Sequence, residues 1–166
     1  MINRMISAMK NDLTVYKLLK EGSSFSSESI IAILVIAVLS GLISGIANSG
    51  GEFSFLTASI GYSILGTVFI YLLFSLWAWF VGTKLVKGTG TFSEVRIALA
   101  YAFSPSIFLA LPYIGILASL WTWVTVSSAI RETLGIGKGS TFLIVISAGF
   151  LAGIIIILSY IAMFTL

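Results

Sequence analysis

The run IALAYAFSPSIFLALPYIGILASLWTWVTVSSAI, residues 97–130, contains no Asp, Glu, Lys or Arg, and how it folds decides the architecture. As one straight helix it would rise roughly 50 Å at about 1.5 Å per residue, against a bilayer hydrocarbon core of about 30 Å. It must bend sharply or turn back. Leu111-Pro112-Tyr113 divides it near the middle, with Gly115 close behind, and proline disfavours helix in the residue before it. The expectation is a hairpin of two spans. Thr91-Phe92-Ser93-Glu94 fits a capping box that starts the first span ahead of Arg96, while Arg131 can snorkel and Gly135 can end the second.

Working outward, residues 29–51, 53–83 and 139–166 are also free of charge, and each is long enough for a crossing of about 20 residues. The whole chain of 166 residues is 58% hydrophobic and 9% charged, with a mean hydropathy of +1.13. Soluble domains carry about one-quarter charged residues, so a soluble globule is excluded. With no Cys and no His, thiol redox chemistry, disulfides, Cys/His metal sites and imidazole catalysis are excluded as well.

The nine basic residues fall into three groups. Arg4, Lys10, Lys17 and Lys20 precede the first run, Lys84, Lys87 and Arg96 lie after the second, and Arg131 and Lys138 follow the fourth span of the hairpin reading. The segments around 48–53, around Pro112 and at the C-terminus carry none. Because cytoplasmic flanks collect Lys and Arg, this pattern fits an all-α polytopic protein with five spans, the N-terminus cytoplasmic and the C-terminus outside. The expected spans are 29–48, 55–83, 92–111, 113–134 and 140–165, forming a membrane domain over 29–166. A four-span alternative, with 97–130 re-entering from the cytoplasm, fits the charges too.

Residues 1–28 are expected to form a separate amphipathic segment. Ile2, Met5, Ile6, Met9, Leu13, Tyr16 and Leu19 recur at three- and four-residue spacing with the basic residues largely off that stripe, and Asn11-Asp12 can break it in two. The alternation of charge with apolar residues does not read as a cleavable signal peptide. A helix in the headgroup layer and a helix packed on the protein's own loops both satisfy the pattern.

In lipid, close packing of small residues must hold helices together. Gly41 and Gly45, and Gly149 and Gly153, are GxxxG pairs, with Ser59, Ser63 and Thr67 and then Ala98, Ala102 and Ser106 continuing the theme. Intramolecular packing is the preferred reading over dimerisation. Pro105 cannot donate to the carbonyl of Tyr101, so the third span should bend there, with Ser104 or a neighbouring helix meeting the freed oxygen. Together with Trp121 and Trp123 in a hydroxyl-rich fourth span, Tyr101 and Pro105 mark a candidate cavity. Trp77 and Trp79, just before Lys84, suit an interfacial belt.

Catalytic motifs fail on inspection. Around Lys138 a phosphate-binding loop would need Ser or Thr where Gly139 stands and Gly where Glu132 stands. Gly88-Thr89-Gly90 lacks the third glycine of a dinucleotide fingerprint. Paired Asp, a Ser-His pair or a His-rich metal site cannot be assembled for intramembrane proteolysis. No enzyme activity, cofactor, metal or nucleic-acid partner is expected. The polar residues of the two basic loops, Lys84, Lys87, Glu94 and Arg96 with Arg131, Glu132 and Lys138, should lie side by side and form a face for anionic lipid or an acidic protein partner.

Gly88-Thr89-Gly90-Thr91-Phe92, then Arg96, Ala100-Tyr101 and Pro105, followed by a turn, a Trp-bearing span and a Gly-rich loop, resembles the Ypt-interacting-protein (Yip) domain family in its prokaryotic form. The order of elements agrees along 53–166 and more loosely from Leu13 onward. The resemblance implies five spans, a cytoplasmic N-terminus and an external or lumenal C-terminus. Eukaryotic relatives are Golgi and endoplasmic-reticulum proteins associated with Rab-type GTPases, vesicle trafficking and membrane shaping. This chain has neither their long cytoplasmic N-terminal region nor an Asp-Leu-Tyr-Gly-Pro motif before the first span, so the likeness does not carry Rab binding with it. It implies a prokaryotic member in the plasma membrane. The expected role is non-enzymatic, organising membrane or recruiting partners, with homo-oligomers allowed; the alternative is a small permease or channel for neutral or weakly polar solutes, since no ionisable residue lies deep in an expected span.

Overall fold

The computed structural model describes residues 1–21, 25–48, 52–111 and 113–165, with the side chains at 21, 48, 152 and 155–165 outside the description. All regular structure among them is helical: α1 (Ile2–Met9), α2 (Leu13–Glu21), α3 (Phe25–Asn48), α4 (Phe53–Lys84), α5 (Phe92–Ala102), a 3-10 helix at Ser104–Phe108, α6 (Ile114–Leu134) and α7 (Lys138–Thr165). Three stretches are long and apolar enough to cross a membrane, Phe25–Ala47, Phe53–Leu85 and Ile114–Leu134, and α7 is apolar over Lys138–Leu151.

The two long helices α3 and α4 pair through small residues. A Cβ added at Gly41 would stand 2.6 Å from the Ile60 Cα, and one at Gly45 would stand 2.5 Å from Leu56 Cδ1, so both glycines are what lets the backbones close. The Ser63 hydroxyl crosses the same seam and donates to the Ala37 carbonyl at 2.8 Å.

The decisive run does turn back between α5 and α6, although Pro112, the expected breaker, lies outside the described residues. Its first arm differs from the span expected over 92–111. The capping box starts α5 as expected, with the Thr91 hydroxyl accepting from the Glu94 N–H and the Glu94 carboxylate accepting from the Thr91 N–H. However, α5 ends after 11 residues at Ala102, three residues ahead of Pro105, and the chain tightens into the 3-10 helix with proline in its first turn. The carbonyls released by this change are met one by one. Ser104 donates to Tyr101 O at 2.6 Å, Thr125 of α6 to Ala102 O at 2.7 Å, and Ser106 to Phe103 O at 2.6 Å. Irregular backbone at membrane depth is tolerated where protein covers it, and α5 is covered: Val95 and all of Ile97 to Ala102 are buried. The arm is therefore a short helix wrapped by its neighbours, with little of it open to lipid.

Part of that wrapping comes from the N-terminal helices. Asn11 adopts φ +55 and Asp12 accepts from both the N–H (3.0 Å) and the hydroxyl (2.7 Å) of Thr14, so α1 and α2 separate at the expected break. The pair lies on the protein's own helices. α1 touches α5 and the 3-10 helix, and α2 touches α5 and α6. Met5, Ala8, Val15, Tyr16 and Leu19 are buried there, while Ile2 and Ile6 of the expected stripe are 65% and 44% exposed. The Trp121 indole N–H donates to the Met9 carbonyl at 2.6 Å, tying the end of α1 to the first half of α6. The expected segment boundary at residue 28 falls inside α3, which begins at Phe25.

Candidate functional site

The two basic loops meet. Leaving α4, Lys87 takes φ +62 and the Gly88 N–H donates to Gly82 O at 2.8 Å, after which the Thr89 N–H donates to Leu134 O at 3.0 Å. A side chain at Gly90 would put its Cβ 2.8 Å from the Thr133 carbonyl oxygen, so the Gly-x-Gly pair is what allows one loop to press on the end of α6. Gly135, at φ +66, closes α6 with its N–H on Arg131 O at 2.9 Å, as the sequence leads one to expect.

Within this face the seven expected residues divide. Lys84, Lys87 and Lys138 are exposed. Arg131 pairs with its neighbour Glu132 at 3.1 Å, Glu94 serves the capping box, and Arg96 turns away to donate to the Ser26 hydroxyl. Arg96 also shares its carbonyl with the Tyr71 hydroxyl at 2.9 Å, so it is held between α3 and α4.

A separate inner cluster centres on Glu28, which sequence reasoning missed. Standing in the first turn of α3, its carboxylate accepts from Arg4, from the N-terminal ammonium of Met1 at 2.9 Å and from the Tyr101 hydroxyl at 2.7 Å. The Arg4 guanidinium also lies 4.6 Å above the Phe25 ring. An anion in the first turn of a helix has the macrodipole in its favour, and here it also draws α1, α3 and α5 onto one group. An isolated Glu at the start of an apolar run, with Arg one amphipathic segment earlier, was the available signal.

The four residues expected to share a cavity do not. Tyr101 is fully buried on Glu28. Pro105 and Trp121 line a shallow groove of about 240 Å³ with Met9, Phe108, Ile114 and Leu117. Trp123 stands between two other spaces: a groove of about 380 Å³ between α6 and α7 that has Arg131 and Lys138 at one end, and a cavity of about 300 Å³ among Phe74, Phe103, Thr122 and Val126. Its ring lies over Gly149, where an added Cβ would come within 2.2 Å, whereas at Gly153 nothing lies within 4 Å.

The Gly-x-Gly loop, the Thr91 box, buried Tyr101 and the proline break after it form one connected unit, and the family model of the Yip1 domain matches residues 12–160. The chain belongs to the Yip1 domain family. Comparisons with curated proteins and with solved structures return no match. The Yip1 match and the long apolar helices together make this a multi-pass membrane protein. The match begins at Asp12, so α1 lies ahead of it, and Arg4 reaches from α1 onto Glu28 inside the Yip1 domain.

Proposed function

We propose that this Yip1-domain protein is a non-enzymatic organiser of the plasma membrane that holds anionic lipid, or an acidic partner protein, on a basic cytoplasmic face. The reading takes five crossings, with residues 1–28 as the cytoplasmic segment and 29–166 as the membrane domain, the N-terminus inside and the C-terminus outside; α5 with its 3-10 continuation is about 26 Å long and serves as the third crossing. The observation that carries it is the hydrogen bond from Thr89 to Leu134, which joins the loop of Lys84 and Lys87 to the end of the helix bearing Arg131. Juxtamembrane cations each contribute about 1 kcal/mol of attraction to an anionic surface, so a fused face outperforms either loop alone. Reversing charge at Lys84, Lys87 and Arg131 together should lower retention of phosphatidylglycerol over phosphatidylcholine by at least about tenfold, measured by native mass spectrometry of the detergent-released protein. Unchanged retention overturns the proposal.

One feature favours the alternative of a permease for neutral solutes. A cleft of about 520 Å³ between α3, α4 and the 3-10 helix is lined by Ser40, Ser59, Tyr62, Ser63, Thr67 and Ser106 and presents hydroxyls without a charge. Flux of small polyols in proteoliposomes, abolished by Ser59→Leu, would establish that reading instead.

A further inference from the structure

The groove between α6 and α7 combines three features at one place. At its mouth stand two cations, Arg131 in the last turn of α6 and Lys138 at the first position of α7. Beside them are the hydroxyls of Ser127, Ser128 and Thr141 and the opening amides of α7, which have no intrahelical acceptor. Deeper, the walls are apolar, made by Val145, Ile146 and Phe142, and Trp123 stands on Gly149 beyond them. From Lys138 to Ile146 the groove follows nine residues of α7, a rise of about 12 Å over eight steps, slightly less than the half-thickness of the hydrocarbon core. Polar at one end, apolar for the depth of one leaflet and open along its side, it has the chemical profile of a single lipid.

We infer that this groove is a specific site for one anionic glycerophospholipid, its phosphate held by Arg131, Lys138 and the first turn of α7, and one acyl chain lying along Val145 and Ile146 toward Trp123. The inference rests on the basic-face reading and narrows it to one ligand and one groove. Glu132 shares the Arg131 guanidinium along a single edge, with both bonds going to one carboxylate oxygen, so donors remain for a phosphate. Lys138 has no ion-pair partner among the described residues. A zwitterionic lipid would bring its own cation to the same mouth, and the selectivity therefore follows from charge.

The test uses the full-length protein in mild detergent, titrated with dioleoylphosphatidylglycerol or dioleoylphosphatidylcholine and read by native mass spectrometry. Two kinds of variant separate the groove from the face. Arg131→Gln with Lys138→Gln removes the cations, and Ser127→Phe fills the groove without changing charge. Each is expected to reduce phosphatidylglycerol binding, by roughly thirty-fold for the double variant, and Lys84→Gln with Lys87→Gln, which lie on the basic face but do not line the groove, is expected to reduce it less. Quenching of tryptophan fluorescence by brominated phosphatidylglycerol in the unmodified protein, relieved by Ser127→Phe, gives a readout that does not depend on the double variant folding. If Ser127→Phe leaves both binding and quenching unchanged while the Lys84 and Lys87 substitutions abolish binding, the groove site is overturned and the basic face stands. Equal binding of the two lipids to the unmodified protein overturns the charge selectivity and the groove site with it.

Discussion

Glu28→Gln is expected to destabilise the protein by about 2–3 kcal/mol and to free the N-terminal helices. The substitution keeps size and one acceptor but removes the charge that Arg4, the Met1 ammonium and the Tyr101 hydroxyl all address. The carboxylate is 24% exposed and Arg4 is 28% exposed, so the loss falls below the 3–5 kcal/mol range of fully buried pairs. Removing a charge from the first turn of α3 adds a few tenths through the helix dipole. A thermal unfolding midpoint lower by about 5–10 °C is the readout. Faster tryptic cleavage at Lys10 and Lys17 should accompany it. Arg4→Gln on top of Glu28→Gln should then add little, because the two changes remove the same interaction. Full additivity would show that the cluster does not hold α1 in place.

Gly115→Ala is expected to cost about 3 kcal/mol, at the upper end for overpacking, because the added carbon would lie 2.3 Å from the Leu109 carbonyl oxygen and 3.1 Å from its carbon. Those are backbone atoms of the turn itself and cannot rotate aside. The Gly115 N–H donates to Leu111 O at 2.7 Å, and Tyr113, two residues before it, holds φ +62, so there is little slack through which to relax. Gly61→Ala is the matched control. It sits inside α4 with nothing within 4 Å, so alanine there should be neutral or stabilising by up to about 1 kcal/mol. Equal effects at the two sites would contradict the hairpin geometry.

Much of this architecture is legible in the sequence where a local rule decides it. The start of α5 follows from Thr91 and Glu94, the end of α6 from Gly135, and the division of α1 from α2 from Asn11-Asp12. Local rules fail where a distant residue decides. Pro105 alone implies a bent helix continuing onward, but Thr125, 23 residues beyond Ala102, donates to the Ala102 carbonyl and helps let the α-helix stop early. Likewise the stripe of α1 and α2 is visible from spacing, whereas its partner surface on α5 and α6 is a tertiary fact. Tyr101 is legible as an unusual residue one turn before the proline, but its partner Glu28 stays hidden because the rule that sets topology weighs Lys and Arg alone. Charge placement marks the seven residues of the basic face, yet Arg96 differs from the rest because only the fold brings Ser26 beside it.

The proposed topology puts the two joined basic loops and the N-terminal helices in the cytoplasm and the turn between α5 and α6 outside. Having no cysteine, the chain suits single-cysteine accessibility without background. Cysteine placed at Lys10, Lys87, Lys138 or Tyr113 would be probed in intact cells with a membrane-impermeant maleimide, before and after permeabilisation. Tyr113→Cys is expected to react in intact cells and the other three only after permeabilisation. Tyr113→Cys protected together with the three lysine positions would make 97–130 a re-entrant hairpin and contradict the five-span arrangement, and labelling of Lys87→Cys or Lys138→Cys in intact cells would place the basic face on the wrong side of the membrane.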